Sequence, residues 1–152
     1  MMKKCLTFVL LLVFFLTACS TASPVLSQAG IEIYEPYAHA AGVGETSAAY
    51  MRVKNTGSET DTLLSATCEQ AMMVEVMESM MMEGDVMSMG DVPGIDLPAG
   101  RSVELKPGSY HIMLMDMKQE LIADSTISLT LEFEKAGKIV LEVPVLALGA
   151  TP

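Results

Sequence analysis

Basic residues are scarce in this chain: 9 Lys and Arg stand against 19 Asp and Glu, for a formal charge of −10. A surface with that balance repels nucleic acid and excludes it as a partner. Histidine is scarcer still, with only His39 and His111, so a zinc site built on three imidazoles is out of reach. No Gly-x-Ser-x-Gly elbow, phosphate loop, G-x-G-x-x-G fingerprint or recognisably spaced acid pair appears, which leaves an enzymatic reading without support. Long 3.6-residue apolar periodicity is missing as well, so strands rather than helices are expected throughout. The three cysteines, at 5, 19 and 68, make no disulfide framework.

A single long apolar run, Cys5 to Leu16, follows Lys3-Lys4. It falls short of the roughly 20 residues that span a bilayer and has the layout of an export signal. The run closes on Leu16-Thr17-Ala18-Cys19, which resembles the bacterial lipobox. That resemblance implies cleavage after Ala18 and acylation of Cys19. Residues 1–18 are then a lipoprotein signal peptide and 19–30 a lipidated flexible tether, small and polar in composition (Ser20 to Gly30). Residues 31–146 form the folded domain and 147–152 a C-terminal tail. Several acyl chains hold a protein firmly at a membrane, so the body is expected outside the cytoplasm, in the periplasm or on the outer face of the cell membrane. Loss of Lys3 and Lys4 leaves 19 acids facing 7 bases. Cys68 is left without an intramolecular partner and is expected as a small buried residue. In an oxidising compartment a thioether is a safer soft donor than a thiolate.

Alternating apolar and polar residues mark Ile31–Tyr34, ending at Pro36, and Ala48–Lys54, running into Asn55-Thr56-Gly57. Thr62–Ala66, Met72–Met77, Val86–Met89, Val103–Leu105 and Tyr110–Met117 follow, with turns at Glu83-Gly84-Asp85, Pro98-Ala99-Gly100 and Lys106-Pro107-Gly108. Ile127–Glu134 and Ile139–Val145 form a hairpin across Lys135-Ala136-Gly137-Lys138. So many short strands predict an all-β fold, an antiparallel β-sandwich of the cupredoxin-like or immunoglobulin-like kind.

Methionine is what the chain has in excess. Of 14, eight (Met72, Met73, Met77, Met80, Met81, Met82, Met87, Met89) crowd into eighteen positions, and Met113, Met115 and Met117 follow His111. Gap-filling in a core would scatter them. Strand alternation puts Met73, Glu75 and Met77 on one face, away from the core because Glu75 lies on it, with Met72, Val74 and Val76 on the other. It also pairs Met87 with Met89, and places His111, Met113, Met115 and Met117 together. Residues two apart on a strand are roughly 6.6 Å apart along its axis, so His111 and Met113 can reach one ion. Thioether and imidazole suit Cu(I), whereas hard cations want oxygen. Neutral thioethers also need no deprotonation before they bind. Met51, Met72, Met73, Met115 and Met117 are expected as core fillers, and His39 as a surface residue.

Residues 31 to 145, through AAYMRVKNTGSETDTLLSA, MVEVMES, GDVMSM, IDLPAGRSVELKPGSYHIMLM and LTLEFEKAGKIVLEVPV, resemble the periplasmic copper chaperones of the PCu(A)C family. The signature of that family is a histidine, a methionine eleven positions on and, after twenty-one intervening residues, His-x-Met. Met89, His111 and Met113 match its second half without a gap. In the first half Met77 stands where the family has histidine, and the interval to Met89 is one residue longer. The resemblance implies a Cu(I) site of Met77, Met89, His111 and Met113, with Met87 and Met80, and also Met81 and Met82, as substitutes in a looser loop. It further implies delivery of copper to an accepting protein such as a cytochrome c oxidase subunit, alongside a thioredoxin-like assembly partner. Two rival readings stand beside it: a blue-copper-like electron-transfer protein, which needs a cysteine beside histidine and methionine, and a metal-free scaffold lipoprotein.

Overall fold

Every regular element in the computed structural model, which describes residues 23–82 and 86–152, is a β-strand. In chain order these are β1 Leu26–Gln28, β2 Ile31–His39, β3 Ser47–Asn55, β4 Asp61–Cys68, β5 Ala71–Met82, β6 Val86–Asp91, β7 Ile95–Leu97, β8 Ser102–Leu105, β9 Tyr110–Met117, β10 Thr126–Phe133 and β11 Gly137–Leu146. One layer runs β6–β5–β9–β3–β2, with β8 on β3 and β1 on β2; the other runs β11–β10–β4–β7. The layers are continuous through a parallel contact of Val145 and Leu146 with Ala38 and His39. Pairing is otherwise antiparallel, save for Leu105 against Tyr110.

Alternation explains the sandwich. Ile127, Leu129, Leu131 and Phe133 of β10 and Ile139, Leu141, Val143 and Val145 of β11 all point inward. They meet Ile31, Ile33, Met51, Val53, Ile112 and Leu114 of the facing layer in one cluster. Burying each such side chain contributes about 1.5–3 kcal/mol. The hairpin turn at 135–138 closes on Gly137, whose φ of 74° lies in the left-handed region that glycine tolerates.

Besides the short β7, which is not among the expected strands, the chain differs from the sequence expectation in four places. The ordered body starts before Ile31: Leu26–Gln28, expected within the tether, pairs with Ile31–Ile33 across a turn in which Ala29 and Gly30 have φ of 50° and 81°. Leu26 gains contact with the core there, which outweighs the polar composition around it. Secondly, β2 does not stop at Pro36. Glu35, at φ 49°, and Pro36 form a bulge between the Tyr34–Arg52 and Tyr37–Tyr50 pairs, and the strand continues to His39. Thirdly, β5 continues to Met82, because β6 pairs with it over Met77–Met82. Met80, Met81 and Met82 therefore belong to a strand and not to a loop.

The fourth difference concerns the core fillers. Met51 and Met117 are buried as expected, but Met72 and Met73 are 64% and 51% exposed, and Met115, paired with Met73, is outside the core cluster too. Asp116, at φ 52°, leaves a gap in the β5–β9 ladder opposite Met72. Across that gap the inward positions change from Val74 and Leu114 to Ala71 and Met117, which leaves Met72 outside, while Met73 stays in register on the outward face of Glu75 and Met77. For the same reason Met117 does not share the outward face of His111. The signal segment, Cys19 and the turn expected at Glu83-Gly84-Asp85 lie outside the described residues.

Two buried polar side chains hold one end of the sandwich. Asn55 donates to the carbonyls of Glu59 (2.7 Å) and Leu97 (2.8 Å). Asp61, 5% exposed, accepts from the backbone N–H groups of Thr62 and Lys135 at 2.8 Å and of Ala136 at 2.9 Å. It thereby ties β4 to the β10–β11 turn. Removing a carboxylate that satisfies three donors leaves them unpaired, so Asp61→Ala is predicted to lower stability by roughly 2–4 kcal/mol. Urea unfolding checks this, and a loss under about 0.5 kcal/mol would mean that water replaces the carboxylate.

Candidate metal centre

β9 lies between β3 and β5, with Ile112 and Leu114 turned to the core and His111 and Met113 to the outer face. On that face a row of side chains crosses five strands. Tyr37 opposes Tyr50, Tyr50 lies next to His111, His111 opposes Met77, and Met77 opposes Asp91. A second row runs from Ala48 through Met113 to Glu75, and His39, one residue past the last β2–β3 pair, flanks its β3 end. A third pairs Ser79 with Met89, and a fourth Met81 with Met87.

His111 is only 4% exposed, and its Nδ1 lies 3.0 Å from the Ser109 carbonyl. A carbonyl only accepts, so Nδ1 carries the proton and donates, which leaves Nε2 of the neutral ring with its lone pair for an ion. The same carbonyl accepts from Ser79 N–H of β5 at 3.0 Å. One backbone oxygen thus orients the imidazole and anchors the neighbouring strand. On the β3 side the ring packs against Tyr50 at 6.4 Å between centroids, and Tyr50 packs against Tyr37 at 5.1 Å and His39 at 5.5 Å. Burial raises the Tyr50 hydroxyl above its ordinary pKa, with Tyr37 adding to the effect, and burial raises Tyr37 likewise. Both phenols stay neutral beside the imidazole at neutral pH.

Of the residues expected at the site, Met77 is the nearest across the ladder. Adjacent strands are about 4.8 Å apart, and Met77 faces His111 directly. The extra residue in the Met77–Met89 interval does not shift it, since Glu78 pairs with Tyr110 and so takes the opposite face. Met113 is two residues from His111 on the same strand. Met89 is two strands and one row away, about 12 Å between backbones, so it meets the imidazole only if both side chains lean over β5. Met87 leans that way: its ε-methyl is 3.8 Å from where a Cβ on Gly108 would stand, over the β8–β9 turn. Met80 pairs with Ser88 and points to the other face. Glu75 and Asp91 border the thioethers, yet among the described residues no three His, Cys, Asp or Glu side chains converge on a metal position. The side chain directly opposed to His111 across the β5–β9 ladder is a thioether, Met77.

Sequence reasoning missed the aromatic support. His39, expected on the surface, flanks the end of the second row and bonds through Nε2 to the Ala150 carbonyl at 3.1 Å, which pins the C-terminal tail to this face. Only the Glu35-Pro36 bulge places Tyr37 opposite Tyr50, and strand periodicity by itself does not reveal a bulge.

Comparison with known proteins adds a lineage to this geometry. The family model described as "Putative lipoprotein LpqE-like" matches residues 31–145. The chain is 35% identical over 136 residues to "Putative lipoprotein Lxx21020" of Leifsonia xyli subsp. xyli, covering 86% of this chain and 81% of that protein. Among solved structures, the apo PCuAC domain from PmoF1 superposes with a TM-score of 0.68 at 22% identity, over 80% of this chain and 98% of that one. The copper-bound PCuAC domain from PmoF2 gives 0.65 at 25%, over 80% and 97%. The Cu(I) form of DR1885 from Deinococcus radiodurans gives 0.56 at 24%, over 85% and 83%.

Cys68 lies apart from the site. It ends β4, beside the turn leading to Ala71, and Ala71 pairs with Met117, six residues and about 20 Å along β9 from His111. Among the described residues, the blue-copper reading therefore has no cysteine near its histidine and methionine. Burial pushes the Cys68 thiol up, against smaller opposing effects of the Gln70 and Ala71 backbone. The native thiol is predicted to react with a disulfide reagent at pH 8 at least ~10-fold more slowly than in urea, because less thiolate is present. The folded thiol also holds its proton longer than the unfolded one. This group's contribution to stability accordingly falls as pH rises past about 8.5, the range of a free thiol. Equal labelling rates in both states would contradict the burial.

Proposed function

Because the chain belongs to the LpqE-like lipoprotein family, we propose that it is a membrane-tethered copper chaperone of the PCuAC type, carrying one Cu(I) as cargo at the outer face of β9. The observation that carries this reading is His111: a buried imidazole whose Nδ1 is committed to Ser109, facing Met77 across the ladder with Met113 beside it. Met89 completes the set. The copper-bound PCuAC domain from PmoF2, alike in fold over 80% of this chain, supports copper as the cargo.

The chain's own groups perform few tasks. His111 supplies an oriented nitrogen with its lone pair outward. Met77, Met89 and Met113 supply neutral sulfurs, so loading adds the charge of the ion and displaces no proton from them. Thioether where the family has a second imidazole biases the site further to Cu(I) over Cu(II). Half-exposed sulfurs can leave one at a time, and the ion passes to an acceptor by ligand exchange. Acylation of Cys19 would hold the domain at the membrane outside the cytoplasm. The acceptor we infer is a copper site such as that of a cytochrome c oxidase subunit, with a thioredoxin-like protein as assembly partner. The acidic surface would draw a basic docking face.

In competition with a coloured Cu(I) chelator, His111→Ala with Met113→Ala is predicted to weaken copper binding by about a hundredfold or more, ~2.8 kcal/mol. Met77→Ala, on the half-exposed face, gives a smaller loss with the fold intact by circular dichroism. Met77→His is predicted to gain Cu(II) affinity. Unchanged Cu(I) affinity in the double variant would sink the assignment.

A further inference from the structure

The β5–β6 arm presents more sulfur than a site around His111 uses. Met81 and Met87 are a direct cross-strand pair, Ser79 and Met89 the next, Met77 and Asp91 the one after. Residues opposed in an antiparallel pair point to the same side, so Met81, Met87, Met89 and Met77 form a ladder of thioethers on the side of His111. β9 begins at Tyr110, opposite Glu78, so the arm from Ser79 onward extends past it. Packing does not account for these side chains: Met81, Met87 and Met89 are 66%, 51% and 54% exposed. Ser79 between them is buried, and Met87 folds back toward Gly108 rather than off the sheet edge.

We propose that this arm carries a second soft-metal station, anchored by Met81 and Met87, with Met89 shared between it and the His111 site. The inference rests on the reading of His111 as a Cu(I) ligand. Directly opposed residues have Cβ atoms roughly 4.5–5.5 Å apart. Two flexible thioethers close that gap onto one ion at bonds of about 2.3 Å, the length zinc makes to sulfur. Cu(I) and Ag(I) accept so few soft donors, while hard cations need more oxygens than the described residues beside Met81 and Met87 supply. Met89, one row from Met87 and one row from Met77, can bond to the ion while Met81 and Met87 release it. Each step makes one metal–sulfur bond and breaks another. Neither electron nor proton moves, and copper enters and leaves as Cu(I).

Ag(I), a redox-inert stand-in for Cu(I), provides the test by titration of the full folded domain. Bound ions are counted by native mass spectrometry, and methionine methyl shifts are followed by NMR. Wild type is expected to take two Ag(I), Met81→Leu with Met87→Leu one, and His111→Ala with Met113→Ala one, the last with shifts confined to the arm. Leucine keeps the apolar volume of these exposed side chains, so the fold persists. A wild type that takes a single ion, or a leucine variant that still takes two, overturns the second station. A His111 and Met113 variant that still takes two keeps the station and removes the His111 assignment.

Discussion

A slip of one residue between β5 and β9 would turn every outward sulfur inward, because side chains alternate with a period of two. What prevents it is burial on the other face. Val74 and Val76 of β5 and Ile112 and Leu114 of β9 pack against the opposite layer, and exposing them would cost several kcal/mol. The position of Met77 opposite His111 is therefore enforced by residues that touch no ligand. The apolar core acts as a template for the soft donors on its reverse side.

The imidazole has a further layer of support. Ser109 lies in the turn that Gly108 makes possible, with φ 79°, and its carbonyl takes hydrogen bonds from both His111 and Ser79. Tyr50, Tyr37 and His39 close the other flank, and the tail folds over them to reach His39. Rigid nitrogen and mobile sulfur thus occupy adjacent strands. That division suits a cargo which must be held in one geometry and surrendered along another.

Much of this was legible before the fold was known. Tyr110–Met117 and the hairpin across Lys135–Lys138 follow from period-two alternation and turn chemistry, and burial at Met51 and Met117 agrees with a gap-filling role. The outward direction of Met77 follows from Glu75 alone. Less visible were features that depend on distant pairing. Glu35-Pro36 reads as a strand end until Tyr50 is seen opposite Tyr37, and Met72 reads as core until Asp116 interrupts the ladder. Composition misled at Leu26, whose polar neighbours mask one apolar side chain with a strand to join. Sequence spacing likewise measures Met77 to Met89 along the chain, whereas the site is measured across strands.

Exposure of sulfur has a chemical side beyond metal exchange. Met51 and Met117, 3% and 1% exposed, are shielded from oxidants by the core around them, while the seven methionines at 72, 73, 80, 81, 82, 87 and 89 stand open to solvent. Oxidation to the sulfoxide puts a polar oxygen on a soft sulfur and is undone only enzymatically. The exposure of these sulfurs thus also leaves the β5–β6 arm open to oxidants. Oxidation of this chain would therefore begin at the arm and leave the buried methionines of the core until last.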